Sequence, residues 1–215
     1  MPLVAAGLVL LLAIGVFVFL TRDGDPPERA AAPGDEEPTV SDGDVATPTT
    51  PAFRFAKISR TLVRTAPGHI GTRRRAASTN AAAAARDVLT DLYTEGFLDP
   101  VNLAEGRYTD AFRGFASKAR REAERRPALL TAGPRAGERY ERIVTRSSRL
   151  ATRILVDRVG TPTLLVSYVE FSALASGPEP VLLRSSGQFF FERVRGSWKI
   201  VSFHVIRRDA PQEVA

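Results

Sequence analysis

The C-terminal third of the chain carries the strongest pattern. Three apolar, β-branched and aromatic runs follow one another, Thr163–Ala175, Val181–Val194 and Ser197–Arg207, separated by Ser176-Gly177-Pro178-Glu179-Pro180 and by Arg195-Gly196. Runs of this length joined by short Gly- and Pro-bearing loops predict antiparallel hairpins. Tyr140–Asp157 carries two periods at once. Arg139, Arg142, Arg146, Arg149 and Arg153 recur at helical spacing, whereas Leu150, Thr152, Ile154 and Val156 alternate with Ala151, Arg153, Leu155 and Asp157. The β-branched content favours a long strand kinked near Ser147-Ser148, leading into the meander through Val159-Gly160-Thr161-Pro162.

Upstream the period changes to helical. Ser78-Thr79-Asn80 offer N-cap oxygens before Ala81–Ala85, with Val88, Leu89, Leu92 and Tyr93 continuing the face and Gly96 at the C-cap position. Asp99-Pro100 starts a short helical turn. A third helix is expected from about Thr109 to Arg126, with Phe112, Phe115, Ala116, Ala119 and Ala123 on its apolar side. Phe53-Arg54-Phe55 and the following Ile58, Leu62 and Val63 read as an edge strand ending near Pro67-Gly68.

The N-terminus is of another kind. Pro2–Leu20 contains no charged residue and is long enough to cross the ~30 Å of a bilayer core as a helix. No basic region precedes it, so a retained anchor is expected rather than a cleaved signal peptide. Thr21–Pro51 is rich in Pro, Thr, Asp, Glu and Gly and reads as a disordered spacer. Arg22 and Arg29 after the anchor favour a cytoplasmic head by the positive-inside rule. The acidic Pro/Thr spacer favours an extracytoplasmic one, and that is the localisation expected. The domain plan is therefore an anchor at 1–20, an acidic linker at 21–52, a basic segment at 53–77, a head at 78–208 and a tail at 209–215. The expected fold class is α+β, with two to three helices on a curved, cone-shaped, four-stranded antiparallel sheet.

Charge adds a question. Residues 1–52 hold two Arg and eight Asp/Glu, whereas the remainder holds 28 basic and 16 acidic residues. Between Val45 and Arg86 no acid occurs, and Arg54, Lys57, Arg60, Arg64, Arg73, Arg74 and Arg75 precede Arg86. These seven are candidates for gripping a polyanion such as acidic lipid or wall polymer. The alternative is charge balance against the acids upstream. There is no cysteine, so disulfides and thiolate metal sites are excluded. No phosphate-binding glycine loop, nucleophile elbow or metal-binding histidine pair occurs, and no cofactor or metal is expected. No nucleic-acid-binding motif accompanies the basic charge, so nucleic acid is not an expected partner.

The closing residues Gly187-Gln188-Phe189-Phe190-Phe191 and Gly196-Ser197-Trp198-Lys199-Ile200-Val201 resemble the last hairpin of the nuclear transport factor 2-like (SnoaL-like, cystatin-like cone) superfamily. The layout of anchor, polar spacer and small head is similar to Mce-associated membrane proteins of high-GC bacteria. The resemblance implies a cone-shaped head, and for enzymes of that superfamily acid/base residues in the cone. Tyr168, Glu170, Gln188 and His204, with Ser202 beside His204, are the polar residues available for that role. Alternation along a strand offers the plainer reading that they lie on a solvated face. The resemblance points to a membrane-anchored, non-enzymatic accessory or scaffold protein of the cell envelope, possessing a protein partner and a sheet suited to homo-oligomer contact. The alternatives are a ligand binder or SnoaL-like enzyme using the cone, and a polyanion-binding head.

Overall fold

A computed structural model describes residues 53–64 and 71–211. The expected anchor at 2–20 and the linker at 21–52 lie outside the described residues. Among the described residues, no helix is long and apolar enough to cross a membrane. The fold is α+β. Strand β1, Lys57–Arg64, is followed by helix α1, Thr72–Tyr93, and by the short helices α2 (Pro100–Glu105), α3 (Ser117–Arg125), α4 (Pro127–Leu130) and α5 (Ala136–Arg139). Four long strands complete it: β2 (Arg142–Val156), β3 (Pro162–Ser176), β4 (Val181–Val194) and β5 (Ser197–Pro211). They form one sheet in the order β1-β2-β3-β4-β5.

The sheet differs from the expected four antiparallel strands. It has five, and β1 runs parallel to β2, with Lys57 beside Arg149 and Arg64 beside Val156. The helices between β1 and β2 supply the long crossover that a parallel pair requires. β1 is described over Lys57–Arg64, and its expected end near Pro67-Gly68 lies outside the described residues; β5 continues to Pro211, opposite Val181, into the expected tail. The predicted kink in β2 is a register shift between Thr145 and Ser147. One extra residue, Arg146, lets Ile143 and Ser148 both face the core.

The helices also depart from the prediction. α1 begins at Thr72, six residues before Ser78, because Ser78 and Thr79 donate their hydroxyls back to the carbonyls of Arg74 and Arg75 instead of capping. Its C-terminus is not a glycine cap. The chain widens into a π turn over Thr94–Leu98, and Gly96 stands where a Cβ would lie 3.0 Å from the Leu130 carbonyl. Asp99 does cap α2, accepting from the amides of Val101 and Asn102. The expected helix 109–126 is broken. A 3₁₀ turn covers Asp110–Phe112, and then residues 114–116 pair with β5 through Ala116 N–H to the Ile200 carbonyl (2.8 Å) and Ile200 N–H to the Gly114 carbonyl (3.0 Å). Gly114 lets the same segment lie close against α1, since a Cβ there would meet the Val88 side chain at 2.4 Å. Only then does α3 begin.

The helices cover one face of the sheet. Along that face lie Leu150, Ile154, Leu165, Val169, Phe171, Leu183, Phe189, Phe191 and Ile200, all buried. The other face carries alternate residues of the same strands, and among the described residues no helix lies over it.

Candidate functional site

The pleat decides what each strand residue can do. On β3, Leu165, Val169 and Phe171 are buried, so Tyr168 and Glu170 point the opposite way. Register carries that face across the sheet: Ala151, Tyr168, Gln188 and His204 form one row, and Arg149, Glu170, Ser186 and Ile206 form the next. The four residues proposed for a cavity are thus together, but on the open face. Tyr168 and Gln188 are half-buried, while Glu170, Ser202 and His204 are exposed. Glu170 meets Arg149 at 3.5 Å, and the Arg153 guanidinium lies 5.2 Å from the Tyr168 ring centre. Half-buried Phe190 and exposed Ile206 add apolar surface beside them, and Ser147 and Ser172 join hydroxyls at 2.7 Å.

The helix-covered face is filled by the protein itself. Phe53 stacks on Tyr93 (5.5 Å between ring centres), Tyr93 on Phe97 (5.5 Å), and Phe171 lies against both Tyr93 (4.8 Å) and Phe97 (4.9 Å). Phe53 and Phe55 reach this cluster because Ser148 clamps the chain between them and β1, its hydroxyl donating to the Arg54 carbonyl and accepting from the Ala56 amide. Arg207 closes the cluster. Its guanidinium lies 5.1 Å from the Phe97 ring centre, donates to the Thr131 carbonyl at 2.8 Å and pairs with Asp209. Only 9% of this side chain is exposed. Trp198 is half-buried against the same core, as a plug at the start of β5. Nothing in the sequence distinguishes Arg207 from the other 26 arginines, because its inward direction depends on a second register shift, between Phe190 and Phe191 opposite β5.

Three tyrosines border this cluster, all with raised pKa. Burial pushes Tyr93 up to about 12, against the opposing pull of a hydrogen bond with Ser185 and the charge of Arg207. Burial likewise takes Tyr108, whose hydroxyl donates to the Gly133 carbonyl, to about 12 and raises Tyr140. In the unfolded chain each titrates near 10, so above that pH the unfolded state loses protons that the folded state keeps. The stability that these tyrosines contribute is therefore fully present below pH ~10 and is lost as the pH rises toward ~12. Urea midpoints measured across that range are expected to drop with pH, and Tyr93→Phe is expected to flatten the slope. A midpoint independent of pH there would contradict the burial described.

The basic candidates divide into three. Arg54 is exposed between two buried phenylalanines. Lys57 lies in the row of Arg149, while Arg60 turns to the helix side and donates to the Thr79 hydroxyl at 3.1 Å; Arg64 ends β1. Arg73, Arg74 and Arg75 form the exposed first turn of α1. Arg54, the three residues of β1 and the first turn of α1 thus stand on three separate segments of the chain. Among the described residues no three of His, Cys, Asp or Glu converge as metal ligands.

Comparison with family models, with curated proteins and with solved structures returned no match to this chain. The functional reading therefore rests on the geometry of its two sheet faces.

Proposed function

We propose that this is a membrane-anchored, non-enzymatic accessory or scaffold protein of the bacterial cell envelope, held by residues 2–20 with its head outside the cytoplasm. It acts through protein–protein contacts, in a transport or secretion setting. The resemblance of its closing hairpin to nuclear transport factor 2-like proteins, and of its layout to Mce-associated proteins, supports that reading. The observation that carries it is the division of labour between the faces. The helix-covered face holds its own aromatic stack and Arg207 where an enzyme of this type would hold substrate. The open face presents Tyr168, Gln188, Phe190 and Ile206 with no helix over them among the described residues. Aromatic and arginine side chains on such a surface are the residues that anchor interfaces. The rival reading, a ligand binder or SnoaL-like enzyme, requires Glu170 and His204 inside a pocket, and it is poorly served by their exposure.

The test is site-specific crosslinking of the full chain in membranes. A benzophenone side chain at Gln188 is expected to give a discrete adduct, and the same probe at Lys118 on α3 none. Phe190→Asp should weaken the Gln188 adduct by about tenfold or more, the loss typical of a central interface residue. An adduct with a second copy of the chain would make the sheet a homo-oligomer surface. No adduct at Gln188, or equal adducts at both positions, would sink the reading.

A further inference from the structure

Turns at one end of the sheet bring together arginines that are far apart in the chain. β2 and β4 end there, β3 and β5 begin there, and so does α1. The methylenes of Arg74 occupy the space over Gly160 in the β2–β3 turn, where a Cβ would lie 2.6 Å from the Arg74 Cδ. Ala77 and Asn80 of α1, Pro162, Arg193 and Trp198 line one shallow hollow beside it. Arg73, Arg74, Arg75, Arg158, Arg193 and Arg195 therefore share this end, and all six are exposed. Among the described residues none of the six forms a salt bridge. The acids nearby are Asp157, whose carboxylate is engaged by the Thr161 amide at 2.7 Å, and Glu192, opposite Lys199 on the neighbouring strand. Three cations in the first turn of a helix also oppose its dipole, so their charge does not stabilise α1.

Apolar side chains stand among these charges. Val159 at the tip of the β2–β3 turn is 55% exposed, and Val63 and Leu62, at the end of β1 beside Leu155 and Ile154, are 39% and 38% exposed. A soluble polyanion gains from the arginines but not from the valines. A bilayer with anionic headgroups uses both, the charges at the surface and the apolar tips just below it. We propose that this end of the domain, with Val159 at its tip, is a contact surface for an anionic lipid bilayer. The proposal is independent of the protein contact assigned to the open face of the sheet.

The absence of cysteine makes a direct test available. The full chain carrying Val159→Cys, labelled with a polarity-sensitive dye, is reconstituted into vesicles of phosphatidylcholine alone or mixed equally with phosphatidylglycerol. A second protein carries the label at Glu179→Cys, in the β3–β4 turn at the other end of the sheet. The label at 159 should shift to the blue, and be quenched by a lipid-borne quencher, only in the anionic vesicles. The label at 179 should do neither. Raising salt from about 0.1 M to about 1 M, which shortens the Debye length from ~10 Å to ~3 Å, should reverse the signal. Each arginine near an anionic surface is worth up to about fivefold in partitioning. Replacing the four residues Arg73, Arg74, Arg75 and Arg158 by Gln should therefore reduce the bound fraction by about tenfold or more. These side chains are exposed, and an unchanged thermal midpoint would show that the fold is intact. Val159→Asp, with the label moved to Thr161→Cys, should have the same effect without altering any arginine. Equal signals in neutral vesicles, equal signals at 159 and 179, or the same blue shift produced by soluble polyphosphate without lipid would overturn the proposal.

Discussion

Replacing Phe97 by alanine is expected to lower the unfolding free energy by about 3–5 kcal/mol, the range for deleting a fully buried phenyl group from a core that cannot close around the gap. Phe97 has no exposed surface and sits on the π turn 94–98, between the rings of Tyr93 and Phe171 with the Arg207 guanidinium against it. Three different elements hold its neighbours, so relaxation at one leaves the other two in place. The contrast is Phe190→Ala on the open face, where one side of the ring already meets solvent; about 1 kcal/mol is expected there. Urea unfolding of both variants checks this, with m expected unchanged from the parent. A loss for Phe97→Ala no larger than that for Phe190→Ala would mean that the aromatic stack is not the core of the domain.

Arg207 should give the second large effect, and its sign depends on what replaces it. Arg207→Ala leaves the Thr131 carbonyl without its donor and Asp209 without its partner. Removing one member of a buried pair costs about 3–5 kcal/mol, and the lower end is expected because Asp209 keeps a third of its surface in water. Arg207→Met keeps the aliphatic stem against Phe97 and removes the cost of burying the charge. It should lie within about 1 kcal/mol of the parent, or above it when combined with Asp209→Asn. Thermal or urea midpoints of the three proteins decide the matter. If Met is as damaging as Ala, then the charge itself holds this end of the sheet.

Both effects rest on residues whose importance was unequally visible in the chain. The meander was legible because each strand alternates over more than ten residues and the turns between carry Gly or Pro. Val181–Val194 has the same limits in sequence and structure. The helix starts were less so. Ser78 and Thr79 are good capping residues, but nothing local tells a hydroxyl whether to cap or to bond back one turn, and the preceding Arg73–Arg75 have high helix propensity. β1 was legible as an edge strand, whereas its direction was not, since parallel pairing depends on where the helices deliver the chain. The row Tyr168–Gln188–His204 could be placed on one face by counting in twos. Which face the helices would cover depended on the apolar partners at odd positions, and here the plainer reading of a solvated face matches the structure. The patch at the turns was invisible. Arg158, Arg193 and Arg195 adjoin Arg73–Arg75 only after the sheet has formed.

The parallel strand has a consequence for the order in which the protein can be made. Ala56 donates its amide to Ser148 across 92 residues, and the whole of β1 pairs over the same separation. A ribosome adding about 5–20 residues per second delivers the partner on the order of ten seconds after β1 has emerged. β2 to β5 need only their neighbours and can close as successive hairpins, so β1 has nothing to pair with until the nascent sheet offers it an edge. For that interval Ile58, Leu62 and Val63 are bare. Lys57, Arg60 and Arg64 interrupt them at nearly every third position, and like charges so spaced keep one waiting strand from pairing with that of another chain. On this view, part of the basic charge at the front of the domain guards newly made protein against aggregation while it awaits its own sheet.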